Sequence, residues 1–316
     1  MPVVGADISF IDQEEYWAVD FWHQGTKQDP LDILAAAGFN AVRLRVFVDP
    51  MARGVYQGYN ALRGQPVAFC GLERTLSYAR RVRERGMDLL LDFHYSDTWA
   101  DPANQHKPHS WMNLSLPELH AALYEYTRSS LQSFTDAGIE LRWVQIGNEI
   151  GGGFLRDKDP ATSGDSSNWR QFTDLLKTAA RAVREVTPDA KIIVHHEHSG
   201  SLAWFKGLSY AGLDYDIIGV SYYPQFGGTL DALEKNLGAM VSELDKDIMV
   251  VEYSAQRDAV YRILGALPEG RGLGAFIWEP VNWNDPGAEN LFDWQDSQKR
   301  GHHSNSRLNF YRQFCR

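Results

Sequence analysis

The sequence predicts a closed parallel barrel of eight strands wrapped by helices, a (β/α)8 TIM-barrel fold of the α/β class, on three observations. Short apolar runs alternate with longer helical patterns along the whole chain, and eight such runs can be counted. Their cores are continuous, as in Leu89-Leu90-Leu91 and Ile248-Met249-Val250-Val251, which is how strands covered on both faces read. Eight strands alternating with helices within 316 residues match the strand count and size of such a barrel. A doubly wound open sheet is the rival, but no G-x-G-x-x-G fingerprint follows the first strand.

Taken in order, the predicted strands cover residues 5–9, 41–47, 89–94, 143–146, 192–195, 217–221, 248–251 and 275–278. Amphipathic helices are predicted over 72–85, 116–137, 169–186 and 230–244. Gly38, Gly86 and Gly138 each follow a helical run, where a left-handed residue ends a helix at little cost to glycine. Pro117 marks a helix start and Pro188 a helix end. No linker, low-complexity tract or short repeat intervenes, so residues 1–316 read as one domain.

Composition narrows the function. With 31 basic and 41 acidic residues the formal charge is −10, a field that repels phosphate backbones and argues against nucleic acid. No run of eighteen apolar residues is present, so no membrane span is expected. Ten tryptophans exceed what a core needs and point to surfaces that stack on flat ligands such as sugar rings. No secretory leader is visible at Met1-Pro2-Val3-Val4, which leaves the compartment open. Cys70 and Cys315 are expected at opposite ends of the barrel, too far apart to pair, as two free thiols.

In this fold chemistry gathers where strands end at the C-terminal face. Those ends read Arg43 and Arg45, Asp92 and His94, Asn148-Glu149, Ser221-Tyr222-Tyr223, Glu252 and Trp278-Glu279. Glu149 and Glu252 each follow an apolar strand core, on the fourth and seventh strands, across the mouth from one another. Two carboxyls facing one cavity are the minimum equipment for cleaving a glycosidic bond, one protonating the leaving oxygen while the other attacks or activates water. Asn148 is placed to bind a sugar hydroxyl beside the reacting carbon, and Arg45 is expected near Glu252, holding it ionised.

These residues resemble glycoside hydrolase family 53, the endo-β-1,4-galactanases of clan A. Residues 91–102, Leu-Asp-Phe-His-Tyr-Ser-Asp-Thr-Trp-Ala-Asp-Pro, look like its third-strand motif, continuing through Gln105, Lys107-Pro108 and Trp111. Val144-Gln145-Ile146-Gly147-Asn148-Glu149-Ile150 is similar to its acid/base motif, and Val42-Arg43-Leu44-Arg45-Val46 to its second strand. Gly219-Val220-Ser221-Tyr222-Tyr223-Pro224 resembles the sixth strand and Val250-Val251-Glu252 the nucleophile strand. The resemblance implies a retaining double displacement, with Glu149 as acid/base and Glu252 as nucleophile, on galactan or type I arabinogalactan. It carries Arg45, His94, Asn148, Tyr223 and Trp278 to the subsite of the cleaved bond, with Asp97 and Tyr222 as further substrate contacts. Trp99, Trp111 and Trp283 are the expected stacking surfaces. The expected partner is a polysaccharide or oligosaccharide of β-1,4-linked galactose, met by a monomer that needs no cofactor and no metal. A secreted or periplasmic location follows from the resemblance if a targeting segment has been removed.

The likeness lapses at Phe47, where the family has Trp, at Gln225-Phe226-Gly227 and at Tyr253-Ser254-Ala255-Gln256-Arg257. The connection between the seventh and eighth strands is short and poor in carboxylates, so the calcium site of some bacterial members is not expected. These loops build distal subsites, so another clan-A β-glycanase, or an exo enzyme on short galacto-oligosaccharides, stays open beside endo action. A non-catalytic carbohydrate-binding barrel leaves both glutamates unexplained, and a metal-dependent aldolase or isomerase lacks a ligand set. In His195-His196-Glu197-His198 strand alternation puts only two candidate ligands on a side, short of zinc's three, which favours substrate hydrogen bonding or a local structural role. The stretch 282–296 is read as a long loop over the cleft, not a calcium loop.

Overall fold

A computed structural model describes residues 1–52, 67–281, 287–296 and 298–315. Eight parallel strands close into a barrel: β1 (Val3–Asp7), β4 (Ala41–Val46), β5 (Asp88–Phe93), β6 (Trp143–Ile146), β7 (Lys191–His196), β8 (Ile217–Tyr222), β9 (Asp247–Tyr253) and β10 (Gly272–Trp278). Each pairs with its predecessor, and β1 closes the ring between β4 and β10. All eight predicted strands are present. The first begins two residues earlier than its apolar run suggested, with Ile8 and Ser9 already past its end.

Helices α2 (Pro30–Ala36), α3 (Leu72–Glu84), α4 (Leu116–Asp136), α5 (Trp169–Val186), α6 (Leu202–Tyr210), α7 (Leu230–Leu244) and α8 (Arg257–Ala266) follow successive strands, with a short α1 (Ile11–Tyr16) after β1. Local chemistry sets their ends. Asp29 accepts the Leu31 N–H ahead of Pro30, and Ser115 with Glu118 forms a capping box on α4. Gly38, Gly86 and Gly138 are left-handed at helix ends, as predicted. Among the described residues no helix is long and apolar enough to cross a membrane. Cys70 is buried and Cys315 exposed, and both are free.

A second sheet was not legible in the sequence. Strands β11 (Phe292–Gln295) and β12 (Gly301–Ser304) form a hairpin that β2 (Phe21–His23) and β3 (Thr26–Lys27) extend. The stretch read as a long loop is thus partly a hairpin. Strands of two to four residues rich in His, Trp and charge carry too little apolar periodicity to be read.

The barrel interior is layered. At its floor Val3, Ala41, Leu90, Trp143, Ile193, Ile217, Met249 and Phe276 form an apolar plug. Gly5 makes room for it, because a Cβ there would lie 2.2 Å from the Phe276 ring. Two residues further along four of these eight strands the inward positions turn polar: Arg43, Asp92, Gln145, His195. Strand β9 breaks that parity. Met249 and Val251 face inward, yet a register shift pairs Val220 with Val250 and Ser221 with Glu252. The bulge turns Glu252 into the barrel as well.

Candidate active site

Arg43, fully buried, is the hub of the polar layer. Its Nη1 donates to Asp7 Oδ2 (2.6 Å) and Glu252 Oε1 (2.8 Å). Its Nη2 donates to Asn148 Oδ1 (2.7 Å) and pairs with Asp92 Oδ2 (2.8 Å), while Nε reaches Gln145 Oε1 at 3.3 Å. One guanidinium therefore ties β1, β4, β5 and β9 to the turn after β6. The cation at Glu252 is Arg43 and not Arg45, which the sequence reading placed there. Arg45 lies one pleat nearer the mouth, where it pairs with Glu279 and sits 3.5 Å from Asp7.

Glu252 also accepts the Tyr223 hydroxyl on Oε2 (2.6 Å), so each of its oxygens has a donor. Burial pushes this carboxyl above its ordinary range, and Arg43 and Tyr223 oppose the rise.

Glu149 ends β6 in a left-handed conformation, φ 50°, that costs a non-glycine residue free energy. Gln105 Nε2 holds the turn, donating to the carbonyls of Asn148 (2.6 Å) and Glu149 (3.2 Å). The Glu149 carboxyl accepts Ser221 Oγ–H on Oε1 at 2.6 Å. Burial, and then the charge of Glu252, push it well above the usual carboxyl range, with only Ser221 and a more distant Arg43 opposing. The upward push is the stronger at Glu149. The two carboxyls are thus differentiated by their neighbours.

The remaining predicted residues divide. Asn148 donates Nδ2 to the Ala100 carbonyl (2.8 Å), which fixes its oxygen toward Arg43. His94 accepts the Ala100 N–H on Nδ1 (2.9 Å), so Nε2 carries the proton toward Asp92 Oδ2 at 2.9 Å. Its Nδ1 is thus held by the backbone, while Nε2 has only this close approach to Asp92 among the described residues. Trp99 lies over the Arg45 guanidinium at 3.9 Å and edge-on to Trp278 (6.3 Å), and Trp278 meets Tyr223 at 6.3 Å. Half-buried Trp99 and Trp278, with Tyr223, thus form an aromatic wall beside the carboxyls. Asp97 lies outside this group: its oxygens accept the backbone N–H groups of Asp49 (3.0 Å) and His109 (2.7 Å), tying two loops. Tyr222, one residue out of phase with Ser221 and Tyr223, packs in the outer core and donates to Gln256. Trp111 is buried against Tyr126. Trp283 lies outside the described residues.

Two further members were not given their contacts by the sequence, which left His195 to substrate hydrogen bonding or a local structural role. His195 touches Asn148, Glu149 and Ser221, and its inward parity in strand β7 was the available signal. Phe226, 68% exposed after Pro224, meets Tyr223 edge-on at 5.7 Å and extends the aromatic wall outward. Among the described residues no group of three or more His, Cys, Asp and Glu is placed to hold a metal ion.

The sequence matches the family described as Glycosyl hydrolase family 53 over residues 3–261. It is 36% identical to an arabinogalactan endo-beta-1,4-galactanase of Humicola insolens, across 88% of this chain and 89% of that protein. An endo-beta-1,4-galactanase of Bacillus subtilis is 32% identical across 88% of this chain and 70% of its own length. The solved GH53 catalytic domain of Ignisphaera aggregans superposes with a TM-score of 0.84 at 30% identity, covering 99% of this chain and 96% of that one. With the barrel and its paired glutamates in place, the chain belongs to glycosyl hydrolase family 53 and is a glycoside hydrolase.

Proposed function

We propose that this enzyme cleaves β-1,4-linked galactan within the chain by a two-step displacement that retains the anomeric configuration. In the first step a Glu252 oxygen attacks the anomeric carbon while Glu149 gives its proton to the departing glycosidic oxygen. In the second, Glu149 takes a proton from water, whose oxygen displaces Glu252 from the same carbon. The observation that carries this reading is the unequal environment of the two buried carboxyls. Glu252 has a guanidinium and a phenol donating to its two oxygens, as an ionised nucleophile requires, and Glu149 is pushed toward its protonated form. The substrate rests on the printed names of the Humicola and Bacillus relatives. The aromatic wall of Trp99, Trp278 and Tyr223 suits the apolar face of a galactose ring.

The test is reducing-sugar release from linear β-1,4-galactan, with mannan, xylan and cellulose in parallel, by wild type and Glu252→Gln. The expected result is activity on galactan alone, at least about 10⁴-fold lower in the variant. A ladder of early oligosaccharides marks endo action, whereas a single small product moves the assignment to exo. Proton NMR of the first-formed anomer reads the stereochemistry directly, and an inverted product would overturn the double displacement.

A further inference from the structure

Glu149 is strained, buried and bound through one oxygen only, which raises the question of what decides where its proton sits. Among the described residues Ser221 is the only hydrogen-bond partner of its carboxyl, at Oε1. Ser221 Oγ lies 2.8 Å from His195 Nε2 on its other side. A serine hydroxyl has one proton, so it donates to one neighbour and accepts from the other. The His195 tautomer sets that direction.

The Glu149 backbone fixes the tautomer. Its N–H, turned inward by the left-handed residue, has His195 Nδ1 (3.3 Å) as its one acceptor among the described residues. Buried backbone N–H groups are paired almost without exception, so Nδ1 carries a lone pair and Nε2 the proton. Asn148 Oδ1 also lies 2.9 Å from Nδ1, but it already accepts Arg43 Nη2 at 2.7 Å, and Gln145 Nε2, a donor, stands 3.2 Å from Nδ1, so two N–H groups face this nitrogen against one carbonyl oxygen. His195 is wholly buried beside Arg43, with His94 and His196 also near. Burial, and then the charge of Arg43, keep it neutral, pushing its pKa well below the ordinary histidine range.

We propose that His195, acting through Ser221, is a positioning residue for the acid: its Nε2–H donates to Ser221 Oγ, Ser221 donates to Glu149 Oε1, and the transferable proton is thereby confined to Oε2. The same backbone strain that aims the Glu149 side chain also turns its N–H onto the imidazole that orients its carboxyl. This inference rests on Glu149 being the acid, as set out above. It deepens that reading by naming two residues through which the acid is held.

Protonation of the leaving group matters only when that group is poor, so leaving-group dependence exposes the effect. In Ser221→Ala, kcat/KM on linear β-1,4-galactan is expected to fall about 30-fold, within the range of general acid catalysis. On 2,4-dinitrophenyl β-1,4-galactobioside, whose phenolate leaves unaided, it is expected to fall less than about 3-fold, since kcat/KM reports the first bond cleavage. The basic limb of the pH profile is expected to move upward, because Ser221 stabilises ionised Glu149 while Glu252, Glu197 and Arg43, the other charges around it, are unchanged. Equal losses on both substrates, or an unmoved basic limb, would overturn the proposal by reducing Ser221 to a packing residue. Glu149→Ala run beside it separates the two readings. If that variant loses both substrates alike, Glu149 is not the acid. If it shows the split and Ser221→Ala does not, only the relay falls. Nitrogen-15 NMR of imidazole-labelled wild-type enzyme needs no variant to fold: a neutral Nε2–H signal for His195 supports the chain, and an Nδ1–H signal refutes it.

Discussion

Arg43 and Arg45 stand two residues apart on one strand, point into the same barrel and are both buried, yet they hold different halves of the site. Arg43 meets only oxygens: Asp7, Asp92, Gln145, Asn148 and Glu252. Arg45 pairs with Glu279 and then turns its face to rings, with Trp99 at 3.9 Å and Phe10 at 5.3 Å from its central carbon. Among the described residues its Nε and Nη1 have no hydrogen-bond partner. One step of the pleat toward the mouth thus exchanges a carboxylate cage for an aromatic wall. A buried arginine is not a role in itself; its ring of partners defines it.

The sharpest way to break this comparison is to remove each guanidinium. Arg43→Met is expected to lower kcat on galactan about 10³-fold or more and to cost roughly 3–5 kcal/mol of stability, because it strands Asp7, Asp92 and Glu252 without their shared cation. Arg45→Met is expected to cost about tenfold in activity, mostly in KM, as Trp99 loses its support. Equal kcat losses in the two variants, with denaturant melts run alongside, would erase the distinction.

A finer test uses pH. In the proposed mechanism activity needs Glu252 ionised and Glu149 protonated, so the acid limb is expected to follow Glu252 and the basic limb Glu149. Burial raises Glu252 and Arg43 opposes that rise. Arg43→Lys, which loses the fork geometry, is therefore expected to move the acid limb of kcat/KM to higher pH. Arg45→Lys should leave that limb in place. A shift in both would mean that Glu252 senses the placement of both cations and not the Arg43 Nη1 contact alone.

The smallest effect belongs to the outer end of the wall. Phe226→Ala is expected to raise KM for long galactan about 2–5-fold with kcat unchanged, the worth of one exposed ring contact. Initial rates on galactans of graded length would show whether the loss vanishes on short chains.

Much of this site was legible because a parallel barrel forces it. Once the strand cores are counted, polar residues at their C-terminal ends are singled out, and Glu149, Glu252, Asn148, Tyr223 and Trp278 all stand there. Choosing between neighbours was harder. Arg43 and Arg45 share a face, and only three-dimensional depth shows which one reaches Glu252. Tyr222 was read with its neighbours although alternation sends it outward, and the Asp97 carboxylate is taken up by loop amides. His195 was read for substrate hydrogen bonding or a local structural role in preference to a metal, and its contacts escaped because they come from strands distant in the chain. The small second sheet was invisible because its strands are too short to show a period.

The bulge in β9 has a consequence for how such a barrel can change over time. A strand that alternates strictly after Met249 would carry Val251 and Tyr253 into the lumen and leave Glu252 among the helices. Straightening the bulge without shortening the strand would keep every residue of the segment yet rotate the reactive one out of phase. Deleting one residue between Met249 and Glu252 would instead restore regular pairing with the glutamate still opposite Ser221, so a graft of the site onto another barrel must carry either the irregularity or a strand one residue shorter along with the glutamate.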